Sequence, residues 1–235
     1  MFGAGTGLGL SVARRFGREG FRVALVARRP ERLEGLVREL TKESIEAASF
    51  SADLNKPDEM PGVVEAIRER FGRIDVVEYG PNGGNQGFTA AKDLDDKVLA
   101  EFAPLFLFTP VEVVRSVLPE MLERGDGAIL FTHGYSAVQP MPFLSGPGPL
   151  MSAARNYLYS LNAELKDTGV YAGTLAIAAS IDRSEAAAAY LSSGDASSVE
   201  STLPAIDPDV LAEYYWDMYT RRDRVEQVHP PHLSR

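Results

Sequence analysis

The stretch "MFGAGTGLGLSVARRFG" (Met1–Gly17) decides how the rest of the chain is read. Its glycines stand at 3, 5, 7, 9 and 17. G-x-G-x-x-G does not fit, because residues 8 and 10 are leucine; G-x-x-x-G-x-G fits through Gly3, Gly7 and Gly9. Glycine there lets the backbone turn sharply and approach a pyrophosphate, whose charge then rests on the free N–H groups of a helix N-terminus. The helix is present in "LSVARRFGREG". A plain glycine-rich turn is the other reading, and the neighbouring elements must choose. A phosphate-gripping loop also needs a strand behind it. Only Met1 and Phe2 precede the glycines, so they read as the end of a longer first strand, truncated in this numbering.

Working outward, strand and helix patterns alternate. "FRVALVAR" (Phe21–Arg28) is a short apolar run of strand type. Pro30 then opens a helix with Leu33, Leu36, Val37 and Leu40 on one face. "AASFSADL" reads as a second strand. A helix with Met60, Val63, Val64, Ile67 and Phe71 inward ends at Gly72. "RIDVVEY" is a third strand, leading to the loop "GPNGGNQG". A long apolar helix covers roughly Phe102–Glu123, and "GDGAILFTH" adds a turn and a fourth strand. A helix from about Met151 to Asp167 leads to a fifth strand, "VYAGTLAIAA". Asp207 with Pro208 marks one more helix start. This order predicts right-handed βαβ crossovers and a parallel sheet in one domain over 1–235. The region around 183–204, which contains "SSGDASSVES", reads as a flexible loop.

Bulk chemistry narrows the partners. The 235 residues carry a net charge of −9 with 45% hydrophobic composition. Without clustered Lys and Arg, neither nucleic acid nor an anionic membrane is expected as the main partner. There is no cysteine, which excludes disulfides and thiolate chemistry. His133, His229 and His232 lack metal-site spacing, so no metal is expected. No apolar run is long enough to cross a bilayer and no signal peptide is evident; the expectation is a cytoplasmic protein acting on a small molecule.

The nucleotide type is read at the end of the strand after the glycines. A carboxylate there would bind the ribose 2′-OH of NAD, whereas arginine suits the 2′-phosphate of NADP. Here the strand ends Val26-Ala27-Arg28-Arg29, with no acid. A planar guanidinium holds phosphate in a fork, so NADP(H) is the expected cofactor, against the alternative that both arginines are merely solvated.

Together the glycines, "VALVARRPERLEGL", "ADL", "GRIDVV", "VRSVLPEMLERGDGAIL" and "RNYLYSLNAELKDTGVYAG" resemble the short-chain dehydrogenase/reductase family over nearly the whole chain. The resemblance implies an α/β fold, a single Rossmann-type three-layer sandwich with seven parallel strands. It implies a cofactor site made by Gly3, Thr6, Gly7, Leu8, Gly9, Arg28, Arg29, Asp53, Leu54, Gly80 and Ile181, with Asp53 beside the adenine. A homodimer or homotetramer is also implied, through the apolar helix around Phe102–Phe108.

The family's catalytic side chains are a different matter. A Tyr acts as acid or base, a Lys four residues later lowers its pKa, a Ser binds the carbonyl and an Asn completes a water relay. In "SGPGPLMSAARNY" (Ser145–Tyr157) the ungapped positions of Tyr and Lys are Pro147 and Met151. Phe106 stands for the Asn and Gly134 for the Ser. The family's Asn-Asn-Ala-Gly becomes Tyr79–Asn82, and its Pro-Gly becomes Ile177 and Ala178. Stand-ins are offered by "THGYSAVQP": His133 as general acid or a packed residue, Tyr135 as acid or apolar lid, Ser136 as carbonyl donor. Asn82, Asn85 and Gln86 are left between substrate contact and turn capping. Glu78, near a strand end, has no sequence-level explanation. Three functions follow: an oxidoreductase on a small carbonyl compound that departs from the family chemistry, a catalytically inactive nucleotide-binding sensor or partner subunit, and a non-redox enzyme on the same scaffold.

Overall fold

Apolar β-branched and aromatic residues bounded by glycine and charge give the chain its strands, and each pairs with a neighbour in the same direction. In the computed structural model, which describes residues 1–82, 89–188 and 203–233, the strands are β1 (Val23–Ala27), β2 (Ala47–Ser51), β3 (Val76–Tyr79), β4 (Gly127–Gly134), β5 (Val170–Ile177), β6 (Ser180–Ile181), β7 (Ala205–Ile206) and β8 (Glu226–His229). β1 pairs with β2, β3 with β4, β4 with β5 and β5 with β8, all parallel. Phe2 joins the two parts through parallel bridges to Val26 and Tyr79. The order across the sheet is therefore β2, β1, Phe2, β3, β4, β5, β8, with the short pair β6–β7 apart.

The helices are α1 (Leu8–Arg18), α2 (Pro30–Lys42), α3 (Met60–Phe71), α4 (Asp96–Ala103), α5 (Thr109–Arg124), α6 (Pro147–Glu164) and α7 (Pro208–Arg221). They cover both faces of the sheet. α3, α5 and α6 pack Met60, Val64, Val113, Val114 and Leu158 against Val26, Val77, Ile129 and Phe131. On the other face, Val12 and Phe16 of α1 and Leu211 and Tyr215 of α7 lie against Leu130 and Leu175. Side chains alternate across a strand, and β4 follows that rule: Ile129 and Phe131 feed one layer, Ala128 and Leu130 the other. The three-layer α/β reading holds.

Several boundaries differ from the sequence reading. α6 starts four residues before Met151, because Pro147 has the φ a first helical turn needs and no N–H to lose. The helix expected from Phe102 starts at Asp96, where Asp95 caps it by accepting from the Val98 N–H at 2.9 Å. It then widens into a π-turn over Pro104–Phe108 before α5. β8 was not expected; its Glu226 is tied to α6 by Arg155 at 2.5 and 2.8 Å. Asn85 and Gln86, and residues 189–202 of the loop region, lie outside the described residues.

The sheet position expected of the first strand is taken by Met1, which bonds to Ala24 and Val26 of β1, and by Phe2. The Phe2 N–H donates to the Glu78 carbonyl at 2.8 Å, and its own carbonyl accepts from Gly80 at 3.0 Å. Alongside it a cavity of about 360 Å³ lies between β1 and β3, walled by Val23, Ala24, Ile74, Val76 and Val77.

Candidate active site

In sheets of this kind ligands bind in the cleft outside the carboxyl ends of the strands; the glycine loop is its candidate nucleotide end and the segment His133–Ser136 its candidate reacting end. At the first, Gly3 has φ +94°, and a Cβ there would lie 2.5 Å from the Pro81 Cα, so only glycine fits. A Cβ on Gly9 would crowd the Ala4 Cα at 3.2 Å. Gly7 stands at the N-cap of α1 with Leu8 at the helix start; the Leu10 N–H donates to the Gly5 carbonyl at 2.9 Å and the Ser11 N–H to the Gly7 carbonyl at 3.2 Å. No acidic residue sits in that first turn, which leaves the positive end of the helix dipole without a protein carboxylate of its own.

Arg28, Arg29 and Arg32 are exposed at the end of β1 and the start of α2. Arg29 and Arg32 converge on one carboxylate, that of Glu185. With Ala4, Gly5, Thr6, Leu33 and Leu36 they enclose a cavity of about 30 Å³ beside the glycine loop. The sequence reading named Arg28 and Arg29 but missed Arg32; its place three residues on, one helical turn into α2, was the signal available. Asp53 follows β2. Burial opposes its ionisation, but the Asn55 N–H and amide, both at 3.0 Å, and the charge of Arg28 outweigh that and hold it below the ordinary carboxylate value. Leu54 is buried and its carbonyl accepts from the Thr109 hydroxyl at 2.8 Å, fixing this wall of the cleft. Gly80 follows β3 and Ile181 lies in β6, packed against the α1–α7 layer.

The reacting end is mostly apolar. Met151, which the ungapped sequence reading sets at the family's Lys position, is buried and lies over Gly134, with its methyl 3.6 Å from where a Cβ there would be. Phe106, which the same reading sets at the Asn position, sits in the π-turn, and the Leu105 carbonyl accepts from the buried Tyr79 hydroxyl at 2.6 Å. A π-turn displaces carbonyls from their helical partners, and Tyr79 supplies one replacement.

His133 lies near the end of β4. It is buried at 6% exposure, and its Nε2 has no hydrogen-bond partner among the described residues. Burial, with the nearby Arg155 charge, lowers its pKa to about 3. Burial thus disfavours the charged form of the ring. It packs edge-on against Phe131 with centroids 6.0 Å apart. Ser136 is better placed: it is buried between Gly134 and Gly148, with the hydroxyl 3.7 Å from a Cβ position on the first and 3.8 Å from one on the second. That brings it to the first turn of α6, next to Pro147. Tyr135 is half-buried, and its hydroxyl reaches the Leu233 carbonyl at 3.5 Å.

Glu78 now has a structural place. It is buried, and its Oε1 accepts from the Thr132 hydroxyl at 2.5 Å; the same hydroxyl meets the Tyr215 hydroxyl at 2.5 Å. Burial pushes the Glu78 pKa up to about 7, with the Thr132 bond opposing. Alternation on β3 and β4 aims Glu78 and Thr132 into one layer, a signal that becomes legible only once their register is known.

A parallel sheet, a glycine loop opening a helix and a cluster of arginines after the next strand define a Rossmann-type dinucleotide-binding domain. The "short chain dehydrogenase" family model matches residues 1–186, and the chain belongs to that family. It is 31% identical over 170 residues to a "Putative ketoacyl reductase" of Streptomyces coelicolor, covering 72% of this chain and 64% of that one. The chain thus spans less than two thirds of that relative, and 54% of the next, a fungal short chain dehydrogenase. Among solved structures it is similar to a variant of actinorhodin polyketide ketoreductase with NADPH, at a TM-score of 0.85 and 25% identity over 99% of this chain and 95% of that one. It also shares the fold of an NADPH-bound short chain oxidoreductase from Pseudomonas aeruginosa "containing an atypical catalytic center", with TM-score 0.83, 19% identity and coverage of 100% and 95%. Among the described residues, no helix is long and apolar enough to cross a membrane.

Proposed function

We propose that this chain binds NADP(H) and reduces a small carbonyl compound without the family's Tyr–Lys pair. The observation that carries the reading is the seat formed by Arg29 and Arg32 beside the glycine loop, where two guanidinium groups already hold one carboxylate. A phosphate monoester offers the same planar-fork recognition with more charge. The residues fit the cofactor: Gly3, Thr6, Gly7, Leu8 and Gly9 for the pyrophosphate, Asp53 and Leu54 beside the adenine, Gly80 and Ile181 farther along the cleft, and Arg28, Arg29 and Arg32 for the 2′-phosphate. When bound, the nicotinamide supplies the hydride. NADPH in the two similar structures and reductase activity in the relatives' names support this assignment.

At the reacting end Ser136 donates to the substrate oxygen, and the Tyr135 hydroxyl is the nearest candidate for the proton. His133 shapes the wall as a neutral ring. In this reading the protein works in the cytoplasm as a homodimer or homotetramer, and Phe108, 53% exposed on the α4–α5 side, belongs to the contact. A second reading, nucleotide binding without turnover, is favoured by one observation: Met151 puts a buried thioether where the family's cation would lower a tyrosine pKa.

Calorimetry with NADPH and NADH, followed by NADPH oxidation over a panel of aldehydes, ketones and enones, tests both. NADPH binding with turnover is the expected result. Binding without turnover on any carbonyl replaces it with the second reading, and absence of binding removes both.

A further inference from the structure

The segment Arg183–Glu185 lies directly on the glycine loop. The Thr6 hydroxyl donates to the Arg183 carbonyl at 2.7 Å, and Ser184 comes so near Gly7 that a Cβ there would sit 2.9 Å from the serine Cβ. Arg183 is itself anchored, to Asp207 at 2.5 Å and Asp209 at 3.0 Å at the start of α7. The Ala187 N–H donates to the Ser184 hydroxyl at 3.0 Å, which turns the chain just after this point. Glu185 is thus delivered to a fixed place. One of its carboxylate oxygens pairs with Arg29 at 2.5 Å and the other with Arg32.

We propose that Glu185 is a cofactor-specificity residue: its carboxylate occupies the arginine seat that a nucleotide 2′-phosphate requires, so that the two anions exclude each other. The inference rests on the NADP(H) reading above and assigns a role to the carboxylate that the arginine seat holds. The charges explain the consequence. Arg29 and Arg32 supply two positive charges, which one carboxylate half neutralises. A phosphate arriving with Glu185 still in place would meet a like charge at contact distance. A 2′-OH brings no charge, so NAD(H) does not have to displace Glu185. The residue therefore weakens NADP(H) selectively and narrows the preference that the arginines create. The pairs are partly exposed, with side-chain exposures of 58%, 48% and 39% for Arg29, Arg32 and Glu185, so the competition is modest and salt-sensitive.

Glu185→Gln keeps the shape and removes the charge. Calorimetry at low ionic strength on the full chain and this variant, with NADPH, NADH, 2′-AMP and 5′-AMP, reads the effect. NADPH and 2′-AMP are expected to bind about tenfold tighter to the variant, with NADH and 5′-AMP changed by less than about twofold, and the gain is expected to shrink at high salt. Equal gains for phosphorylated and unphosphorylated ligands would make the segment a mere steric cover and overturn the proposal. So would unchanged affinities throughout. NADPH binding that ignores Glu185 sinks this inference alone, whereas no NADPH binding to either protein sinks the cofactor reading with it.

Discussion

The two ends of the cleft contrast in what they retain. The nucleotide end has cations and tight glycines. The reacting end, in the proposed reading, has Pro147, Met151, Phe106 and Gly134 around a buried histidine whose charged form burial disfavours. Binding a dinucleotide depends on backbone geometry and fixed charge, while moving a proton depends on a group whose pKa lies near the working pH. The proposed chemistry must therefore draw on orientation and a hydroxyl donor rather than on an activated phenol.

The largest expected effect sharpens the contrast through pH. His133 has a folded pKa of about 3 against an ordinary 6.5, so the folded state binds fewer protons than the unfolded one in that range. Stability is full above pH 6.5 and falls as pH drops toward 3, by up to about 5 kcal/mol from this group. Glu78 behaves oppositely: its folded value of about 7 lies above the ordinary 4.5, so stability is full below 4.5 and is lost as pH rises through 7, by about 3 kcal/mol. Urea unfolding across this pH range should show His133→Phe flattening the acid limb and Glu78→Gln flattening the alkaline one. An unaltered acid limb in His133→Phe would mean the imidazole is solvated and able to charge, which would return it to the list of proton donors.

Next comes the nucleotide end. Removing both guanidinium groups in an Arg29→Ala, Arg32→Ala double variant should weaken NADPH by about 100-fold and leave NADH within about twofold, since each charge-assisted bond is worth roughly 1.5–3 kcal/mol and solvent screens part of it. Equal losses for both nucleotides, measured by calorimetry, would break the assignment of this seat to the 2′-phosphate.

The smallest effect belongs to the reacting end. Ser136→Ala should lower carbonyl-dependent NADPH oxidation about tenfold while NADPH affinity stays constant. A change in affinity without a change in turnover would move Ser136 from the reacting end to the nucleotide end.

Much of the fold was readable from pattern. Leu33, Leu36 and Leu40 announced α2 by spacing, and the run before Arg28 announced β1. β8 and the α4–π–α5 continuity were not readable: Glu226–His229 is short and polar, and becomes a strand because β5 offers it an edge. In the candidate site, Gly3, Gly7, Gly9 and Arg29 were found from local rules. Arg32 and Glu185 were not, since 153 residues separate the two halves of that ion pair. Glu78 looked out of place for the same reason, its partners Thr132 and Tyr215 lying far along the chain.

By itself the sequence determined the α/β class and the glycine-loop spacing, because each depends on neighbours within a few residues. Tertiary structure alone decided the burial of His133 and Glu78 and the occupant of the arginine seat. Those are set by desolvation and by charges brought together from distant segments, and neither quantity exists until the layers have closed over the sheet.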